Sequence, residues 1–427
     1  MTTGVMAARD VVITGIGVVS PIGIGRETFW ASLVAGRSGV GPISSFDASG
    51  LPVRIAAEVR DFDPKQYVKP RKSLKVMSRD SQFAVTAADL AWSDAGLGDA
   101  TLDPERVGVV IGAERVRNEF SDIEGTFRAC RVDGRFEPGL WPTVGAAEAY
   151  PLMLLKNLPN MLGSFISILK DARGPNNTLC QAEAGSLQAV GEAAACLERG
   201  AADVMVAGGA ASRFHPIDWV RSEMSGDLSH ENDNPAAASR PFDARRSGQV
   251  RGEGGALFVL ETREHAAARG AEILGRVLSW TSSAAVPAAS TASLSAAIER
   301  TVRRALELAN VEPGQLAHVS AHGLSSRSSD ALEAQALRAT IGARPVVAFK
   351  SYFGNSGAAG GAVELAATIL ALKEGLLPAT LNYEIPDPNC PIEVVHGEPR
   401  PRGSGPALGL NFTAAGQVAA IVVGGPE

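Results

Sequence analysis

Six short runs rich in Val and Ile show no alternation of polar and apolar residues, and this constrains the fold more than any other feature. They are residues 11–19, 107–111, 204–207, 256–260, 346–349 and 419–423. A strand with one wet face alternates, whereas a strand covered on both faces does not. Between these runs lie helical patterns over residues 78–95, 185–199, 293–309 and 359–373. The second places Leu187, Val190, Ala194 and Leu197 on one face. Strands alternating with helices predict a layered, parallel-rich α/β fold.

Composition agrees with that reading. The 427 residues include 46 Gly and only 5% aromatics, which suits many tight strand-to-helix turns. The net charge is −6, and no basic stripe or long Lys/Arg run is present, so nucleic acid is a poor partner. Cys130, Cys180, Cys196 and Cys390 form no CxxC pair and no zinc-type spacing with the six His residues, so no metal is expected. Reduced thiols suit a cytosol. The N-terminus has no apolar signal core, and no apolar run approaches the ~20 residues that span a bilayer. A cytoplasmic chain without a membrane span is the expectation. Residues 231–251 and 382–391 read as ordered loops over a site, and residues 282–292 as a surface loop or a link between two halves.

Three segments draw attention as chemistry: residues 174–210 (GPNNTLCQAEAG at their start), 318–326 (HVSAHGLSS) and 347–361 (VAFKSYFGNSGAAGG). Taken singly, each has a plain reading as a turn before a helix, a structural histidine, and a solvated turn. Together they resemble the active-site segments of the elongating β-ketoacyl synthases. The opening VVITGIGVVSPIG, the run at residues 232–261, DVMVAGGA and the AHG of residues 321–323 are similar to the same family, so the resemblance covers nearly the whole chain. It implies a thiolase-like fold of two similar α/β halves in five layers, divided here as residues 1–262 and 263–427, and a dimer.

The resemblance also implies the chemistry. In that family a cysteine at a helix N-terminus takes an acyl chain from the phosphopantetheine arm of an acyl carrier protein, and no other cofactor is needed. Two histidines then stabilise the enolate formed as malonyl carrier protein loses carbon dioxide. Carried over residue by residue, Glu183 stands at the nucleophile position, His322 at the first histidine and Lys350 at the lysine. Asn355 stands at the second histidine. The C-terminal glycine-rich loop becomes Phe412, Thr413, Ala414, Ala415 and Gly416, with Ala415 at the gate position and altering the substrate channel.

A carboxylate cannot replace the thiolate, because an acyl-glutamate is an anhydride. An anionic Glu183 would also repel a malonyl group, unless burial keeps it protonated or His322 or Lys350 pairs with it. The pattern is similar to the chain-length-factor subunits of type II polyketide synthases, which pair with an active ketosynthase as a heterodimer. The alternatives are a malonyl carrier protein decarboxylase and a homodimeric acyl-binding relative with Glu183 as general base.

Overall fold

The computed structural model describes residues 10–98, 100–117, 119–286 and 291–426. Ten strands build the body of the principal sheet: β1 Val11–Ser20, β2 Val107–Gly112, β3 Asn176–Leu179, β4 Val204–Ser212, β5 Glu253–Thr262, β6 Gly275–Ala284, β7 His318–Ser320, β8 Pro345–Val347, β9 Ala407–Phe412 and β10 Gln417–Gly424. Their spatial order is β8-β7-β9-β10-β6-β1-β5-β4-β2-β3. The first five strands lie in the order third, second, fourth, fifth, first, and so do the second five. The directions repeat as well. In both sets the first three strands of that order are mutually parallel, and the last two join antiparallel. The sets meet edge to edge where Val11–Ile13 pairs with Gly275–Val277.

Five helices complete the layers: α1 Arg79–Asp94, α2 Gly185–Glu198, α3 Thr291–Ala309, α4 Arg327–Ile341 and α5 Gly360–Glu374. Helices α2 and α5 lie between the two halves of the sheet and touch strands of both. Helix α1 covers the outside of the first half, while α3 covers that of the second with α4 packed on it. This is the thiolase-like arrangement, helix, sheet, helix, sheet, helix. In α5 every residue from Gly360 to Leu372 is buried, so no polar stripe marks it as a helix. Helix α1 starts where the Ser78 hydroxyl accepts from the Ser81 N–H at 3.2 Å. It lies so close to β1 that a Cβ on Gly17 would stand 1.9 Å from the Ala87 carbonyl oxygen. Ser186 at the start of α2 accepts from the Ala362 N–H of α5 at 3.0 Å, which fastens the two central helices together.

Five of the six apolar runs lie within strands, and all four helical patterns are helices with ends shifted by up to two residues. The sixth run stops being a strand at Val347, because Phe349 caps a helical turn, Lys350–Phe353, that buries the Lys350 side chain. Residues 282–284 finish β6 and so do not link two halves; residues 287–290 lie outside the described residues. Loops 231–251 and 382–391 are ordered and locked together. Asp243 accepts from the Glu384 and Ile385 N–H groups, each at 2.7 Å, and Arg246 pairs with Asp387 at 2.6 Å. Among the described residues no helix is long and apolar enough to cross a membrane.

Candidate functional site

Strands β3, β2 and β4 are parallel neighbours and deliver their C-terminal ends to one place, with Gly112 in register with Leu179 and Gly209. Open parallel sheets gather ligand-handling groups at such ends. After β3 the chain turns through Ala182, whose φ of +43° is a conformation that L residues avoid. Glu183 follows, directly ahead of α2, where the helix dipole favours an anion. Glu114 comes just past β2 and Arg213 just past β4.

These three side chains meet. Arg213 Nη1 donates to Glu183 Oε1 at 3.1 Å, and Arg213 Nε lies 3.4 Å from Glu114 Oε2. Glu114 Oε1 accepts from the Ala358 N–H at 2.6 Å. Room for that carboxylate exists only because residue 357 is glycine: its φ is +56°, and a Cβ there would fall 1.5 Å from Glu114 Oε1. Asn355 closes the group, donating from Nδ2 to Glu183 Oε1 at 3.2 Å and to Gln249 Oε1 at 2.7 Å. Both amide hydrogens are therefore used. The Arg251 guanidinium donates to the Arg213 carbonyl at 3.2 Å.

A second group lies beside it. His322 is fully buried, with its ring 4.4 Å from that of Phe412. Lys350 is ion-paired to Glu364, whose other oxygen accepts from Asn411 Nδ2 at 2.6 Å. That turns Asn411 Oδ1 toward His322 Nδ1, 2.9 Å away. The Lys350 ammonium lies 3.2 Å from the same Nδ1, so this nitrogen faces both an acceptor and a donor, which favour opposite tautomers. Among the described residues His322 Nε2 is buried without a partner. Glu333 holds the loop from behind, accepting from the His322 and Gly323 N–H groups at 2.6 and 2.8 Å.

The electrostatics follow from these contacts. Burial by itself would raise the Glu183 carboxyl, but Arg213, with the hydrogen bond from Asn355, carries it well below the usual carboxylate range. Burial, helped by the Glu183 charge and opposed by Arg213, raises Glu114. The two carboxyls of the pair are thus pushed in opposite directions. Burial and the neighbouring Lys350 ammonium push His322 down, so the ring is neutral. Glu183 is therefore neither protonated nor paired with His322 or Lys350 as the sequence suggested; its partner is Arg213. A neutral ring offers no charge, and Lys350 is committed to Glu364.

The structure brings Glu183, Asn355, His322, Lys350 and Phe412 together. Thr413 is buried at the start of the turn after β9, where its hydroxyl meets the Gln417 side chain, and Gly416 is buried at its end. Ala414 and Ala415 sit exposed at the tip of that turn. Sequence reasoning missed Arg213, Gln249, Asn411, Glu333 and Glu364. Glu114 left a local trace, a charge in the GAERVRN turn directly after an apolar run. Arg213 left none.

The buried groups make stability depend on pH. Burial raises Asp80 to about 7 and Glu333 to about 8. A raised carboxyl stabilises the fold below its unfolded value and loses that contribution as pH rises through the folded one. Burial lowers His318 to about 3 and lowers His322 as well. Those two contribute above 6.5 and lose it as pH falls. Below 6.5 the two kinds oppose each other, whereas from 6.5 to 8 only the raised carboxyls still titrate, so the Tm is expected to fall over that interval; a flat Tm between pH 6.5 and 8 would contradict this account.

Comparison with known proteins places the geometry. The model of the β-ketoacyl synthase N-terminal domain matches residues 8–266, and that of the C-terminal domain residues 271–384. The tetracenomycin polyketide synthase ketoacyl synthase alpha subunit of Streptomyces glaucescens is 35% identical over 427 residues, covering 99% of this chain and 98% of that one. The solved ishigamide ketosynthase/chain length factor is 31% identical with a TM-score of 0.84, covering 98% of this chain and 100% of that one. A chain from the solved complex of a type II polyketide synthase acyl-carrier protein with its ketosynthase gives 27% identity and a TM-score of 0.80, over 99% of this chain and 100% of that one. With both domain models matched and both relatives above 30% identical aligned along almost its whole length, this chain belongs to the β-ketoacyl synthase family.

Proposed function

We propose that the chain is a non-condensing subunit of the chain-length-factor type, which pairs with an active ketosynthase in polyketide-type chain elongation. The ion pair of Glu183 with Arg213 carries this reading. Glu183 stands at the nucleophile position of the family, ionised and held in place, and supplies no thiolate. Cys180 does not substitute for it. Burial and the nearby Glu114 raise its thiol above the ordinary value, away from the thiolate that attacks a thioester.

Several surface features support a partner of the same fold. Strand β3 ends the sheet, and Asn176 and Asn177 on it are exposed, so its outer edge is free to pair with another strand. On the helix beside it, Met161–Lys170, Ile168 is 73% exposed. Further along, the rings of Phe127, Phe136 and Trp141 cluster at 5.3–6.2 Å with an outward face. A contiguous apolar face of this kind marks an interface, and a second subunit carrying the same edge and flank would match it. The acyl chain would arrive on the phosphopantetheine arm of a carrier protein. Five exposed cations, Lys65, Lys69, Arg71, Lys72 and Lys75, offer such an arm's phosphate an attractive approach in a chain of net charge −6.

The test is to purify the chain alone and with the synthase encoded beside it, and to follow malonyl carrier protein by intact-protein mass spectrometry. Only the pair is expected to elongate, and the product length reports what the channel is for. Elongation by the lone chain, or failure of the two to associate, would sink the proposal.

A further inference from the structure

Each member of the Glu183–Arg213–Glu114 cluster stands where one of three adjacent strands hands the chain onward. Glu114 follows β2 and leads through Arg117 to the helix Phe120–Ala129. Arg213 follows β4 and leads through His215 to the helix Pro216–Met224. These two surface segments are tied together: Arg117 Nε donates to Asp218 Oδ1 and Oδ2 at 2.9 and 2.8 Å, and the Phe120 ring lies 4.9 Å from that of His215. Both segments end in exposed apolar side chains. Ile217, Val220 and Met224 fall on one face of the second helix, with Met224 81% exposed, and Phe120 and Phe127 project from the first.

We propose that Glu183 is a positioning residue for assembly: through Arg213 and Glu114 it clamps the two segments that present the apolar partner face. What docks there rests on the partner-subunit reading above; the clamp itself does not. The residue type matters. Arg213 lies between two carboxylates, and the nearer contact is to Glu183, at 3.1 Å against 3.4 Å to Glu114. Without Glu183 the guanidinium would face only Glu114. A cysteine at position 183 would be too short to reach the guanidinium, and a glutamine would leave its charge unmatched. The replacement that abolishes condensation thus supplies an anchor.

The test compares backbone amide exchange in the full-length wild type, Glu183→Ala, Glu183→Gln and Arg213→Lys, together with affinity for the neighbouring synthase by sedimentation. In Glu183→Ala, exchange over residues 113–129 and 213–224 is expected to rise about tenfold, and affinity to fall about tenfold, while α2 and α5 keep their protection. Glu183→Gln and Arg213→Lys retain hydrogen bonds and should fall between; they serve if the alanine variant does not fold. Unchanged exchange in the two segments would overturn the clamp and leave the partner reading intact. Raised exchange with unchanged affinity would overturn the role in assembly. A wild type that binds no synthase, with exchange still raised in Glu183→Ala, would overturn the partner reading and leave the clamp.

Discussion

Given malonyl carrier protein alone, the wild-type chain is expected to release no carbon dioxide, and Glu183→Gln is expected to be equally silent. Decarboxylation needs hydrogen-bond donors aimed at the thioester oxygen as it becomes an enolate, and losing one such donor costs about 10²–10³ in rate. One is spent here and another is weakened. Asn355 spends both amide hydrogens on Glu183 and Gln249. His322 is a neutral ring, held so by burial and Lys350, and brings no positive charge to the enolate. The Glu183 carboxylate adds repulsion, which glutamine removes. Glutamine leaves burial and Lys350 acting on His322, so the ring stays neutral. Acetyl carrier protein from either form, seen by intact-protein mass spectrometry, would show that the donors can rearrange and would favour the decarboxylase alternative.

Replacing Arg213 with Met is expected to lower stability by about 3 kcal/mol, the usual cost of leaving a largely buried charge unpaired. The side chains of Arg213, Glu183 and Glu114 are 19%, 13% and 18% exposed, so water compensates little. The loss should depend on pH. Arg213 is the chief group that holds Glu183 low and opposes the rise of Glu114; without it burial pushes both carboxyls up. A carboxyl with a raised pKa stabilises below the unfolded value and loses that as pH rises. The gap in Tm between variant and wild type should therefore be widest at pH 8 and narrow toward pH 5. A gap of constant width would mean that the Arg213→Met variant fails by shape and not by charge. Methionine nearly matches the arginine stem in volume, which separates the two causes.

The sequence by itself determined the layers and the family. Strands such as β1, β4 and β10 are covered on both faces, so their apolar runs reported burial directly. Strand β3 stayed hidden because it is an edge with polar side chains, and β6 because its partly exposed residues interrupt the run. Helix α4 stayed hidden because Asp330 and Glu333 occupy its buried face, where Asp330 accepts from the Phe242 N–H and Glu333 from the loop just ahead of the helix. The sequence also named Glu183, His322, Lys350 and Asn355, since each sits in a local motif.

Only the tertiary structure decided the state of those residues. Charge and proton position depend on what lies within hydrogen-bonding reach, and here that is supplied from elsewhere in the chain. Arg213 is 30 residues from Glu183, and Asn411 is 89 residues from His322. No local pattern marks either one. Parallel strands β2, β3 and β4 bring Glu114, Glu183 and Arg213 together because crossovers align their ends, and that juxtaposition exists only once the sheet has formed.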